Sequence, residues 1–99
     1  MLNINKVSDG ARLTVALKGR LDTTTAPELE KSLKESVEGV AQLVIDMQEL
    51  EYISSAGLRV LLSAQKIMMK QGSMTVTHVN ETVMEIFEVT GFSDILTIE

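Results

Sequence analysis

The chain has 99 residues, 44% of them apolar, no cysteine and a formal net charge of -5. That length makes one small domain, residues 1–99, with enough apolar content to fold, and the missing cysteines exclude a disulfide framework, a thiolate metal site and a thiol nucleophile. With no basic cluster and only Tyr52, Phe87 and Phe92 as aromatics, direct nucleic-acid binding is disfavoured, and no apolar run approaches the roughly 20 residues that span a membrane.

The amino terminus, MLNINKVSDG, has no charged-then-apolar signal pattern, so cytoplasmic residence is the default expectation. An acidic chain also suits a basic protein partner. Leu2 to Asn5 alternates and reads as a short strand, and Ser8-Asp9-Gly10 signals a turn. Arg12 to Lys18 alternates again, with Leu13, Val15 and Leu17 on one face, which predicts a hairpin. Gly19 to Asp22 is expected to leave the strand. Thr25-Ala26-Pro27-Glu28 fits a capping box with Pro at the helix start. The helix is expected over Ala26 to Glu38, with Ala26, Leu29, Leu33 and Val37 inward and a Glu30–Lys34 pair outward.

The stretch from Gln42 to Gly72 carries the strongest pattern. Leu43, Val44 and Ile45, ending on Asp46 and Met47, suit a strand buried on both faces. An acidic passage, Gln48 to Glu51, follows. After Gly57 the apolar residues Leu58, Leu61, Leu62, Met68 and Met69, widened by Val60 and Ile67, keep a helical period. Ser54 and Ser55 then sit at the helix start. Free N–H groups there favour a serine cap, and equally an anion. Gly57 so early in a helix costs up to about 1 kcal/mol against Ala, which asks for a packing or access reason. Met74 to Val79 reads as a strand. Asn80 is placed to cap a helix from Glu81 to Thr90, with Val83, Ile86, Phe87 and Thr90 inward. Gly91 suits the left-handed position after it, with Phe92 folding back. Ile95 to Ile98 reads as a short edge strand. Helices between strands imply parallel neighbours with right-handed crossovers. The expected fold class is α/β, a mixed sheet of four to five strands against three or more helices.

GRLDTTTAPEL, followed by LVIDMQELEYISSAGLRVLL, resembles the STAS domain of anti-sigma factor antagonists, over nearly the whole chain and in the right order of elements. The resemblance implies a bacterial partner-switching system. The unphosphorylated antagonist binds an anti-sigma factor that is also a serine kinase, and so frees a sigma factor. Phosphorylation from ATP breaks the complex, and a serine phosphatase resets it. In the family the phosphoserine lies two positions before the glycine of a Gly-Leu-x-Val run, often after an Asp. Gly57-Leu58-Arg59-Val60 anchors the match, which makes Ser55 the phosphorylation site and puts Ser54 in the usual Asp position. Two adjacent hydroxyls result, and Ser54 remains the alternative. The implied partner-binding set is Asp22, Thr23, Ser54, Ser55, Ala56, Gly57 and Arg59. Asp22 is expected to meet a basic group on the kinase and to contribute little to the fold, against the plainer reading of a turn or cap residue.

Other chemistries are weaker. Asp46 at a strand end suggests a receiver-type phosphoacceptor, but the acidic pair and late Lys of a receiver are missing. Asp22, Ser55 and His78 supply triad residue types without a G-x-S-x-G elbow. His78 reads as a core or strand-end histidine. One histidine argues against a transition-metal site, and there is no P-loop, so neither an enzyme nor a cofactor is expected. The methionines at 68, 69, 74 and 84 read as core filler or a pliable contact face. The competing function class is a STAS-type scaffold or accessory subunit whose serine is only a cap.

Overall fold

Alternating apolar residues set the first two strands, and a computed structural model that describes residues 2–99 shows the hairpin they form. β1 (Leu2–Asp9) pairs antiparallel with β2 (Arg12–Leu21). α1 (Ala26–Ser36) leads to β3 (Gln42–Ile53), α2 (Ser55–Gln71) to β4 (Ser73–Thr77), and α3 (Glu81–Thr90) to a short 3-10 helix, Phe92–Asp94. The sheet order is β1-β2-β3-β4, with both later pairings parallel. Right-handed crossovers that always step the same way put every helix on one face. The shortest molecular dimension, 19 Å, fits one sheet and one helical layer.

Register carries the core across the sheet. Leu13, Leu43 and Met74 form one buried row, and Val15, Ile45 and Val76 form the next. These rows meet Leu29, Leu33, Leu58, Leu61, Met68, Val83 and Phe87 from the helices. Thr14, Val44 and Thr75 point to the helix-free face.

Several boundaries differ from expectation. β1 continues past Asn5 to Asp9, and the turn is Gly10-Ala11. β2 does not end at Lys18, and β3 continues through the acidic passage Gln48 to Glu51 as far as Ile53. The cause is two register shifts, after Ala16 and after Gly19. They convert alternation into the three-residue spacing of buried Met47, Leu50 and Ile53. α1 ends at Ser36, not Glu38. Ala64 joins the buried face of α2, whereas Met69 is 72% exposed. β4 stops at Thr77 because His78 adopts φ 56, which turns the chain outward. Thr90 is exposed and its hydroxyl bonds back to Ile86 O at 2.7 Å. Asn80 caps α3 through Val83 N–H at 2.9 Å, and Gly91 takes the left-handed position, as expected. The expected last strand shrinks to a parallel bridge, Val76 with Ile98. Two bonds hold it: Val76 N–H to Thr97 O and Glu99 N–H to Val76 O.

Two glycines are fixed by close approach. A Cβ on Gly72 would collide with the Ala41 carbonyl. A Cβ on Gly57 would lie 2.7 Å from Leu21 Cγ and 2.8 Å from Ile53 Cγ1. Leu21 and Ile53 are at most 1% exposed, so neither can yield cheaply. Helix propensity alone would make Gly57→Ala stabilising by up to about 1 kcal/mol. Overpacking costs about 1–3 kcal/mol and decides the sign. Gly57→Ala is expected to lower the melting temperature by several degrees, at about 4–8 °C per kcal/mol for a domain of this size. A melting temperature unchanged or raised in thermal unfolding would contradict this packing.

Candidate functional site

The parallel pairing of Leu21 with Ile53 brings the exits of β2 and β3 side by side. Ser54 N–H donates to Leu21 O at 2.8 Å and ties the two exits together. The loop after β2 and the start of α2 thus share the carboxyl edge of the parallel strands, where open α/β sheets place their ligands.

The two serines divide their roles. Ser54 is the N-cap, with extended backbone (φ -96, ψ 176), and its Oγ accepts from Gly57 N–H at 3.4 Å. Leu58 N–H donates to Ser54 O at 3.0 Å. Ser55 is the first residue of α2 and is exposed, and its hydroxyl makes no hydrogen bond among the described residues. Gly57, expected on the partner surface, is buried. It supports that surface by letting α2 start flush against Leu21 and Ile53.

Asp22 is a structural residue, contrary to the expectation that it contributes little to the fold. Its Oδ1 accepts from Thr24 N–H at 3.0 Å and Thr25 N–H at 3.1 Å. Its own N–H donates to Thr25 Oγ1 at 2.9 Å, and the Thr25 hydroxyl donates to Arg20 O at 2.8 Å. The capping box read from Thr25 does not form, because that hydroxyl is engaged backwards and gives α1 no side-chain cap. The Thr25 amide holds the Asp22 carboxyl below the usual carboxylate range. Partial burial opposes this, while the Thr24 amide, the Thr25 hydroxyl and Arg20 add to the lowering. Arg20 itself stacks over Tyr52, 4.6 Å from the ring centroid.

A groove runs between the starts of α1 and α2, lined by Thr23, Ala26, Pro27, Glu30, Ala56, Arg59 and Val60. Thr23, Ala56 and Arg59 belong to the expected partner set. Pro27, Glu30 and Val60 do not, since only the packing of α1 beside α2 puts them there. The triad residue types do not assemble. His78 Nδ1 lies 3.0 Å from Asp46 Oδ1, and that oxygen also accepts from Gln48 N–H at 3.0 Å. His78 is therefore an exposed strand-end residue. Among the described residues no group of three or more His, Asp or Glu could hold a metal ion, and no helix is long and apolar enough to cross a membrane.

Asp22→Ala is expected to lower the melting temperature by loosening the turn into α1. Asp22→Asn keeps a carbonyl acceptor for Thr24 and Thr25 and is expected to lose less. The sign with pH follows from the lowered value. The carboxylate's contribution is fully present above the ordinary value of 3.8 and is lost as pH falls below it through the folded-state value. Urea unfolding across this range should show the wild-type advantage over Asp22→Asn shrinking only below that point. An advantage that instead grows there would reverse the assignment.

The model of the STAS domain matches residues 3–99. The chain is 37% identical over 99 residues to BtrV of Bordetella bronchiseptica, which carries the name of an anti-sigma factor antagonist, covering 98% of this chain and 84% of that one. It is 30% identical over 98 residues to the anti-sigma-B factor antagonist of Bacillus subtilis, covering 98% and 90%. In structure it resembles an anti-sigma factor antagonist from Mycobacterium paratuberculosis, with a TM-score of 0.90, 22% identity and coverage of 99% and 85%. It also resembles the Bacillus antagonist SpoIIAA, unphosphorylated (TM-score 0.76, 12% identity, coverage 100% and 87%) and phosphorylated (0.75, 13%, 100% and 91%). The match over residues 3–99, the two relatives and the shared architecture identify this chain as belonging to the STAS domain family, in its group of anti-sigma factor antagonists.

Proposed function

We propose that this protein is a phosphorylation-switched anti-sigma factor antagonist of the bacterial cytoplasm. Unphosphorylated, it binds an anti-sigma factor that is also a serine kinase, and the sigma factor goes free. Phosphorylation of Ser55 ends the binding, and a serine phosphatase restores it. The observation that carries this reading is the contrast between the two hydroxyls: Ser54 is spent on the helix cap, and Ser55 stands exposed and unengaged beside it. In the transfer, Ser55 Oγ bonds to the γ-phosphorus of the kinase's ATP, ADP leaves, and the hydroxyl proton passes to a base on the kinase. The surface for docking is the groove with Thr23, Ala56 and Arg59, together with Asp22 and Ser54.

The phosphate brings a charge of about -1.5 to -2 at pH 7. The Ser55 and Ala56 amides at the start of α2 and its dipole accommodate it. Arg59, one turn further along, is exposed and pairs with it within the helix. The fold is therefore undisturbed. The docking surface loses the free Arg59 cation and gains negative charge near Asp22 and Glu51. A kinase that uses those groups is released by the local change.

Incubation with the anti-sigma kinase and ATP, followed by peptide mass mapping, should find phosphate on Ser55. Modification of Ser54 alone would overturn the assignment, and no modification would favour the scaffold reading. Ser55→Ala should bind the kinase and keep the sigma factor free. Asp22→Asn should weaken kinase binding while the domain stays folded. Amide shifts on phosphorylation should concentrate at Ser54 to Arg59 and the Asp22 loop. Large shifts throughout α3 would require a global rearrangement instead.

A further inference from the structure

The net charge is confined to one end of the chain. All nine Lys and Arg residues lie at or before Lys70, where nine Asp and Glu match them. The five remaining acids, Glu81, Glu85, Glu88, Asp94 and Glu99, carry the whole net charge of -5. The helical period stacks Glu81, Glu85 and Glu88 into one exposed ridge on α3, and none of them forms an ion pair among the described residues. Such a ridge works against the helix. Like charges one turn apart are destabilising. Glu88 also sits in the last turn, which holds no basic residue, where the dipole disfavours an anion.

Beside the ridge runs an apolar shoulder. Val89 is 82% exposed, and with Thr82, Glu85, Ile86 and Thr90 it lines a shallow groove on the outer face of α3. Val83 and Phe87 are the buried residues of α3, and Ile86 packs against the core at their edge and stays half-exposed. The exposed Val89 is surplus to the fold.

We propose that this face of α3 docks a basic amphipathic helix of another protein. Apolar residues of that helix seat on Ile86 and Val89, and its Lys or Arg residues meet Glu81, Glu85 and Glu88. Charge complementarity selects this occupant. A second copy would bring the same uncompensated acids face to face, and a membrane of anionic lipid would be repelled. None of the groove residues lines the Thr23–Arg59 groove, so this surface is independent of the Ser55 switch.

The test is an amide-shift titration of the whole chain with a synthetic helical peptide of about 14 residues, long enough for about four turns. The peptide carries Leu at i, i+3, i+4 and i+7, with Lys elsewhere. Saturable shifts should map to Thr82–Thr90 and leave Ser54–Arg59 in place. Affinity should fall at least about tenfold in Val89→Asp and in E85K/E88K. It should also fall on raising salt from about 0.01 to 0.15 M, as the screening length contracts. Thermal melting checks that both variants fold, which the exposure of these positions favours. Equal binding of a Leu/Glu peptide, or shifts confined to Ser54–Arg59, would overturn the proposal. A dimer by sedimentation that Val89→Asp abolishes would assign the face to a second copy and likewise overturn it.

Discussion

The site depends on how closely α2 starts against the ends of β2 and β3. Gly57 has no side chain, and the space a Cβ would need belongs to Leu21 and Ile53. That contact lets the Ser54 amide reach the Leu21 carbonyl. The same bond fixes where Asp22 begins its turn, because Asp22 is the next residue in the chain. One close approach therefore positions the cap, the exposed Ser55 and the Asp22 loop together. Parallel pairing continues right to that point, so the loops rest on paired strand ends.

Asp22 has two roles in this arrangement. Its Oδ1 closes the turn into α1, and its charge remains at the edge of the surface where α1 and α2 begin. The bonds that hold the turn also lower its pKa, so the group keeps its charge further into acid than an ordinary carboxylate.

The distribution of charge separates two surfaces. The first 70 residues are balanced, with Arg59 and Asp22 both near the α2 start. The α3 end is wholly acidic and has an apolar stripe beside its glutamates. The acidic ridge and Val89 are not needed for the core, which is filled by the inward rows of the sheet and one stripe of each helix. Surface sequence that works against helix stability without contributing to the core is free to serve recognition.

Much of this protein was determined by the sequence alone. The alternation of Leu13, Val15 and Leu17, the helical period after Gly57, and Asn80 and Gly91 at the ends of α3 fix the order and type of elements. They do so because each signal is local: a period, a cap, a turn. The Ser-Ser-Ala-Gly start also lies within one short segment. The remaining features are non-local. β3 runs on through the acidic passage because it takes one extra residue against β2 at each of two register shifts, which neither strand reveals alone. Thr25 gives its hydroxyl to Arg20 instead of capping α1 because the β2 exit passes close behind it. The last strand is only a bridge because Ile95 and Leu96 donate their N–H groups back to Phe92 O. Gly57 is buried because α2 starts against Leu21 and Ile53, and the groove includes Pro27 and Glu30 because two helices separated by a strand pack side by side on one face of the sheet.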